Sequence, residues 1–158
     1  MIEYTTEDIE TMVAKDLEIS RQLVDLLHQE TPSIQQRDFA SISQLLQKKA
    51  PLLDQLKQHA ELRKRWLMSL YNVASEKNWG QLLASYNLSK AQQQWQEVNN
   101  NITECRKINE INGVMINRGS QTYAQLLQIL RGDIGKTELY NAKGNKKTTS
   151  TYASVARA

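Results

Sequence analysis

A continuous heptad pattern in the C-terminal half is the feature that most constrains the fold of this chain. Its positions alternate in steps of three and four residues, which places their side chains along one face of a long helix and predicts pairing with another helix. The pattern consists of Trp95, Val98, Ile102, Cys105, Asn109, Asn112, Ile116, Gly119, Tyr123, Leu126 and Leu130. Its centre is polar, with Gly113 beside Asn112, where a purely structural helix would carry Leu or Ile.

Three long helices are predicted from apolar residues at helical spacing. They cover about residues 5–36, 38–76 and 89–131. We expect the first helix to kink or restart at Pro32 and the second at Pro51, because proline removes a backbone donor inside a helix.

The second helix has its own heptad pattern, which begins at Phe39 and includes two cations. Lys49 and Arg63 occupy positions of this apolar face, and we expect their stems to cover apolar surface while their charged ends reach water. Thr5 or Thr6 is expected to cap the first helix, and Asp38 the second.

The connection from Ser75 to Asn87 is predicted to contain a helix breaker at Asn78-Trp79-Gly80. Leu82, Leu83 and Tyr86 could form a short helical turn within it. This stretch would therefore join the second and third helices.

Composition supports an all-α fold. The chain has 158 residues with only 6 Gly and 2 Pro, and β-branched runs are nearly absent, so sheet is not expected. We predict an antiparallel helical hairpin or a three-helix coiled-coil-like bundle over residues 1–131. Residues 132–158 lack periodicity and are predicted to form a polar, basic and flexible C-terminal tail.

The distribution of charge argues against nucleic acid as the main partner. Residues 132–158 contain five basic and two acidic side chains, a net charge of +3, and the whole chain also carries +3. The predicted helical domain is therefore neutral overall, whereas a nucleic-acid-binding domain usually has a basic face. No apolar run approaches the roughly 18 residues of a membrane span, and no signal peptide is evident, so we expect a cytoplasmic protein without direct membrane insertion.

Residues that could support catalysis or metal binding are scarce. His28 and His59 lie on different predicted helices without a partner at metal-ligand spacing, so we expect both to be partly exposed helix residues. Cys105 is expected on a packed face, where a reactive thiol is not favoured. We therefore predict no enzymatic activity, no metal site and no cofactor.

The polar centre of the third helix has two interpretations, which the residues alone support equally. Buried Asn109 and Asn112 would fix the register of a coiled coil at some cost in stability. Alternatively, this part of the helix accepts a partner helix, with Gly113 and Gly119 permitting close approach. The tail is likewise either a solubilising end or a docking peptide anchored by Leu139-Tyr140.

The order of several short motifs resembles the FlgN family of flagellar type III export chaperones. These motifs are Lys49-x-x-Leu52-Leu53-x-x-Leu56, Trp95 at the start of the third helix, Ile108-Asn109-x-x-Asn112-Gly113-x-Met115-Ile116, Leu126-Leu127-x-x-Leu130 and Leu139-Tyr140-x-x-x-Gly144. Each motif is unspecific alone, but their order and spacing cover most of the chain. Pro51 and the tail beyond Gly144 depart from the pattern.

The resemblance implies a chaperone that binds the C-terminal helices of hook-associated junction proteins, FlgK-like and FlgL-like, through its own C-terminal helical region. It also implies delivery to the cytosolic domain of the flagellar export gate protein, with a tail tyrosine in docking. Together with the polar-centred face, it predicts cargo-binding residues Asn109, Asn112, Gly113, Met115, Ile116, Gly119, Tyr123, Leu126, Leu127 and Leu130. The predicted gate-docking residues are Leu139, Tyr140 and Gly144.

Two other functions remain open from the sequence. The chain could be a structural or self-assembling coiled-coil protein without cargo, and a homodimer of the cargo-free chain would also consume the heptad faces. A nucleic-acid-binding tail on a helical scaffold is the third possibility, and its binding would weaken steeply with salt.

Overall fold

The structure, a computed structural model, describes residues 4–130, 136–140 and 146–150. Four helices and two short strands follow one another along these residues. They are α1 (Thr6–Gln35), α2 (Phe39–Tyr71), α3 (Glu76–Ser85), α4 (Ser89–Leu130), β1 (Lys136–Tyr140) and β2 (Lys146–Ser150). The predicted all-α fold class is confirmed.

Short polar side chains determine where the helices begin. Thr5 and Asp8 form a reciprocal capping box at the start of α1, and the Asp38 carboxylate accepts the Ser41 amide at the start of α2. Hydrogen bonds from Thr5 lower the pKa of Asp8, and those from Ser41 lower the pKa of Asp38. Both predicted caps are therefore confirmed.

Each connection between helices contains one residue in the left-handed region of backbone conformation. These residues are Arg37 (φ 55°), Asn72 (φ 57°) and Asn87 (φ 54°). Asparagine tolerates this conformation better than most L-residues, which suits it to the two later turns. The connections are short, so consecutive helices reverse direction within a few residues.

The predicted helix breaker is wrong, because Asn78-Trp79-Gly80 lies inside α3. α2 ends at Tyr71, and Ser75 caps a new helix by accepting the Asn78 amide. Gly80 costs a helix about 1 kcal/mol relative to alanine. Burial of the neighbouring Trp79, together with Leu82 and Leu83, outweighs that cost.

Both prolines lie within helices that continue past them. Pro51 is exposed inside α2, which runs unbroken from Phe39 to Tyr71, so the second helix is one helix and not two. Pro32 lies in the last turn of α1, where its carbonyl still accepts the Gln36 amide at 2.9 Å. Packing of each helix therefore offsets the missing donor.

The chain forms two compact units, residues 1–113 and 114–158. The first unit has an aromatic core at one end, where Tyr4 stacks on Trp66 at 4.7 Å between ring centroids and Trp66 stacks on Trp79 at 6.4 Å. Trp95 meets Trp79 edge-on at 5.8 Å. Apolar side chains from α1, α2, α3 and α4 surround these rings: Ile9, Met12, Val13, Leu67, Leu82, Leu83 and Ala91.

A second cluster in the same unit joins α1 to α4. It contains Ile19, Leu23, Leu27, Cys105 and Ile108, and Val24, Leu52 and Leu56 pack against it. Cys105 is buried, as predicted, and this burial raises the pKa of its thiol. α1 thus contributes to both clusters, one along its N-terminal half and one along its C-terminal half.

The second unit contains the end of α4 and a two-stranded antiparallel sheet. Lys136 pairs with Ser150, and Tyr140 pairs with Lys146. The prediction of a tail without strands is wrong for these ten residues, which form the pair. Both strands contain threonine, which favours extended backbone. The low apolar content of the tail, which indicated an irregular segment, did not take this preference into account.

Trp79→Ala should lower the free energy of unfolding by about 3 to 5 kcal/mol, because it removes a large side chain from the centre of the aromatic core. Trp79 is 2% exposed. Phe39→Ala is the matched control: Phe39 is 76% exposed and its truncation should change stability by about 0.5 kcal/mol or less. Urea unfolding followed by circular dichroism measures both, and equal effects would contradict the assignment of the core.

Native Cys105 should react with iodoacetamide much more slowly than the thiol of the urea-unfolded chain, because burial raises its pKa and restricts access. The sign for stability follows from linkage. Above the ordinary thiol pKa of about 8.5, the unfolded chain loses its proton first, so the free energy of unfolding falls as pH rises. The difference in free energy of unfolding between wild type and Cys105→Ala, measured across this pH range, isolates the contribution of the thiol. A difference that stays constant with pH would contradict the prediction.

Candidate helix-binding surfaces

The heptad face of α4 divides into a packed part and an exposed part. Val98, Cys105 and Asn112 are buried in the first unit, as the pattern predicts. Asn109 is exposed, and its neighbour Ile108 is buried instead. The register interpretation therefore fails for Asn109, because the packed face of a straight helix follows 3.6 residues per turn and drifts away from a strict heptad.

Asn112 makes a specific polar contact with α1. Its side chain is 2% exposed, and its Oδ1 accepts the Thr31 hydroxyl at 2.8 Å. The Asn112 Nδ2 atom has no partner among the described residues. A buried amide finds its partner at a single axial alignment of the two helices and therefore fixes that alignment. The register interpretation requires such a contact.

Several predicted cargo-binding residues have exposed side chains in the structure. Ile116 and Leu126 are each 52% exposed, and Leu130 is 81% exposed. Met115 is half-buried. The side chains of Tyr123 and Leu127 lie outside the described residues.

Two large exposed side chains of α4 were absent from the sequence prediction. Ile111 and Val114 lie off the heptad positions, and about half of each side chain is exposed. Their spacing does not follow the heptad face, so the pattern could not identify them. A polar helix surface with isolated Ile and Val was the only available signal.

Gly113 and Gly119 present open backbone surface on α4. A Cβ atom built on either residue would meet no heavy atom within 4 Å. Within the described residues, no neighbour makes the close approach that these glycines permit. Both positions are thus available to an incoming helix.

The predicted gate-docking residues are divided between described and undescribed segments. Leu139 and Tyr140 are the last two residues of β1, and their backbone pairs with Lys147 and Lys146. Gly144 lies outside the described residues.

Lys49 and Arg63 do not direct their charged ends into water, so that prediction is wrong. Lys49 forms an ion pair with Glu30 of α1, and both side chains are nearly buried. Arg63 pairs with Asp16 of α1, whose side chain is fully buried. Both cations are at apolar heptad positions because α1 supplies carboxylates opposite them.

Asp16 is the centre of a buried polar cluster between α1 and α2. Its second oxygen lies 2.5 Å from Nδ1 of His59, so this histidine is part of an interhelical contact. Burial lowers the pKa of Arg63, and the adjacent Asp16 charge opposes that effect. The Arg63 guanidinium also lies over the rings of Trp95, at 4.7 Å from the centroid, and Trp79, at 5.8 Å.

Polar contacts also join α1 to α4. The Asn101 amide donates to the Ser20 hydroxyl at 3.0 Å, and Arg21 pairs with Glu97 on the surface. Ser20 is fully buried, so its contact is protected from water. Between Asp16 and Arg21, α1 therefore makes polar contacts with both α2 and α4.

The described residues contain no group of three His, Cys, Asp or Glu side chains that could hold a metal ion. None of the helices in this part of the chain combines the length and the hydropathy that a membrane crossing requires.

Asp16→Asn should lower the free energy of unfolding by about 3 to 5 kcal/mol, because it leaves the buried Arg63 guanidinium without a counter-charge. Adding Arg63→Met should restore part of the loss, since the unpaired charge is then gone. Chemical unfolding of both single variants and the double variant measures the coupling. Additive losses would show that the pair contributes no interaction energy.

Comparison with known proteins gives two matches. The family model described as FlgN protein matches residues 1–148. A crystal structure at 1.48 Å resolution, of a Pseudomonas aeruginosa protein assigned as the flagella synthesis protein FlgN, is 24% identical to this chain with a TM-score of 0.61. The alignment covers 81% of this chain and 99% of that one, and at this identity it shows the shared fold. No curated protein sequence matches significantly.

Proposed function

This chain belongs to the FlgN family, and on that premise we propose that it is a cytoplasmic flagellar export chaperone. It binds the C-terminal helices of hook-associated junction proteins, FlgK-like and FlgL-like, and delivers them to the cytosolic domain of the export gate protein. Its action is binding and release, without a covalent step. A flagella synthesis protein is also what the structural neighbour is assigned as.

The exposed apolar side chains of α4 are the observation that carries the proposal. Ile116, Leu126 and Leu130 lie on the heptad face, and each exposes about half or more of its side chain to solvent. Scattered exposed apolar residues are ordinary, but a run of them at heptad spacing is a surface for another helix. We call this surface the cargo face; it comprises the cargo-binding residues predicted above except Asn112, which is buried against Thr31.

The polar residues of the cargo face suit a partner that must later leave. Asn109 is exposed, and Gly113 and Gly119 offer backbone in place of apolar side chains. A helix that docks there buries less apolar area than it would on a Leu or Ile face. Affinity is therefore limited, and the cargo can be released at the export gate.

Delivery is assigned to the tail. Leu139 and Tyr140 are adjacent in β1. The resemblance to the family implies a docking tyrosine in the tail, and we propose Tyr140 for that role. We propose that this segment contacts the export gate protein while the cargo face of α4 is occupied. Separate segments for the two partners would allow both to be bound together.

Replacing Ile116 and Leu126 with Asp should weaken binding of a labelled C-terminal peptide from a hook-associated protein at least about tenfold, because charge replaces apolar contact. Leu70→Asp with Val73→Asp is the matched control, since these residues are also exposed and apolar but lie outside α4. Fluorescence anisotropy gives the affinities, and circular dichroism confirms retained helicity. Unchanged affinity would contradict the cargo face.

Tyr140→Ala should leave the affinity for the same peptide unchanged and should weaken binding to the cytosolic domain of the export gate protein. Loss of peptide binding in this variant would instead place cargo on the tail.

Gly113→Ala with Gly119→Ala should stabilise α4 by about 0.5 to 1 kcal/mol per site, since each added methyl meets open space and alanine favours the helix. The same variant should bind the cargo peptide more weakly, because the methyl groups prevent close approach. Gly80→Ala is the matched control: it should stabilise the protein without affecting binding. Equal cargo affinity in both variants would show that the α4 glycines do not contact cargo.

Self-association is the competing use of the same face. A homodimer of the cargo-free chain would bury Ile116, Leu126 and Leu130 between copies. Sedimentation equilibrium with and without cargo peptide separates the two functions. A stable dimer that the peptide does not dissociate and that binds no peptide would favour a structural coiled-coil protein.

A further inference from the structure

An open apolar groove lies between α2 and α4 within the first unit, and it is distinct from the cargo face. It encloses about 560 Å³. The apolar side chains that line it are Leu56, Ala60, Leu67, Trp79, Trp95, Val98 and Ile102. We call it the α2–α4 groove.

The groove exists because α1 is the shared partner of α2 and α4. Ion pairs from Asp16 and Glu30 hold α2 against α1, and the Ser20–Asn101 and Thr31–Asn112 contacts hold α4. The guanidinium of Arg63, which pairs with Asp16, lines the groove and lies over Trp95 at 4.7 Å. The side chains of Arg63 and Trp95 therefore connect α2 and α4 within the groove.

Apolar surface continues from the groove along α2 toward its N-terminus. Leu53, Leu46 and Phe39 lie on the same heptad face as Leu56 and Ala60, and each is at least half exposed. Lys49 and Ile42 occupy the positions between them. At 1.5 Å per residue, the stretch from Leu56 to Leu67 is about 17 Å long, and the stretch from Phe39 to Leu67 is about 42 Å long. These lengths match one additional helix.

The rim of the groove is basic on the α2 side. Lys57 and Lys64 both line it, one heptad apart, and neither has an ion-pair partner among the described residues. The carboxylate of Asp16 is paired with Arg63, so Glu76 is the remaining acidic residue that lines the groove. Charge complementarity thus favours an occupant with acidic residues beside its apolar stripe.

We propose that the α2–α4 groove is a second docking site, which binds an amphipathic partner helix with acidic residues flanking its apolar face. The apolar stripe of that helix would cover Trp95, Ile102 and Leu56, and its carboxylates would meet Lys57 and Lys64. The tail of this chain is a poor occupant, because residues 132–158 carry a net charge of +3. The proposal does not depend on the cargo face.

A synthetic helical peptide tests the proposal. It has about 18 residues, or five turns, with Leu at heptad positions a and d and Glu at the flanking positions. Anisotropy of the labelled peptide measures affinity for the full chain, and tryptophan emission reports contact because Trp79 and Trp95 line the groove. We expect binding that shifts tryptophan emission and weakens as salt is raised.

Charge reversal on the protein locates the binding. Lys57→Glu with Lys64→Glu should weaken binding of the acidic peptide at least about tenfold. The same variant should gain binding of a matching peptide that has Lys in place of Glu. Lys48→Glu with Lys90→Glu is the matched control, because these exposed lysines do not line the groove. Ile116→Asp with Leu126→Asp should leave this peptide's affinity unchanged, which separates the groove from the cargo face.

Three outcomes would overturn the proposal. They are no binding of the acidic peptide to the wild-type chain, equal weakening by the control reversal, and loss of binding in the Ile116→Asp, Leu126→Asp variant. The last result would place the peptide on the cargo face. It would then support the proposed function and contradict the proposal that the groove is a docking site.

Discussion

The buried carboxylate of Asp16 is the interaction on which the arrangement of the first unit depends. It is fully buried on α1 and binds both His59 and Arg63 of α2. A buried carboxylate is tolerable only with such partners, since its removal from water costs several kcal/mol. The register between α1 and α2 is therefore restricted to the one alignment that places all three side chains together.

The same carboxylate acts at a distance through Arg63. Because Asp16 fixes the guanidinium, the cation lies over Trp95 of α4 and near Trp79 of α3. One charge on α1 thus connects all four helices, with the stacked rings of Tyr4, Trp66 and Trp79 completing that end of the core. An apolar residue in place of Arg63 could still line the α2–α4 groove. It would lack both the cation–π contact with Trp95 and the ion pair with Asp16 that orients the Arg63 side chain.

The sequence predicts well those features that depend on neighbouring residues. The helix caps at Thr5 and Asp38 and the packed position of Cys105 follow from local patterns. The ion pairs could not be predicted, because Asp16 and Arg63 are 47 residues apart, and a heptad pattern shows that Arg63 faces a neighbour but not which residue it meets. The extent of α3 was missed for a related reason: the burial of Trp79 depends on the rings of Trp66 in α2 and Trp95 in α4.

The heptad face of α4 shows the limit of periodicity for the candidate site. The pattern places Asn109 and Asn112 on one face and assigns them one role, yet Asn112 is buried against Thr31 and Asn109 faces solvent. The two interpretations of the polar centre therefore apply to different residues. Asn112 provides the register contact, and Asn109 remains with the proposed cargo face.

This division has a physical consequence for a chaperone of the kind we propose. An apolar helix face that must stay exposed until cargo arrives could instead pack against other helices of the same chain, unless those helices are already held by specific contacts. The buried contacts of Asp16, Glu30 and Asn112 hold α2 and α4 to fixed positions on α1, because sliding either helix would leave a charge or an amide unpaired. Polar specificity in the core thus keeps apolar helix faces available for partners, a role that apolar packing alone would not ensure.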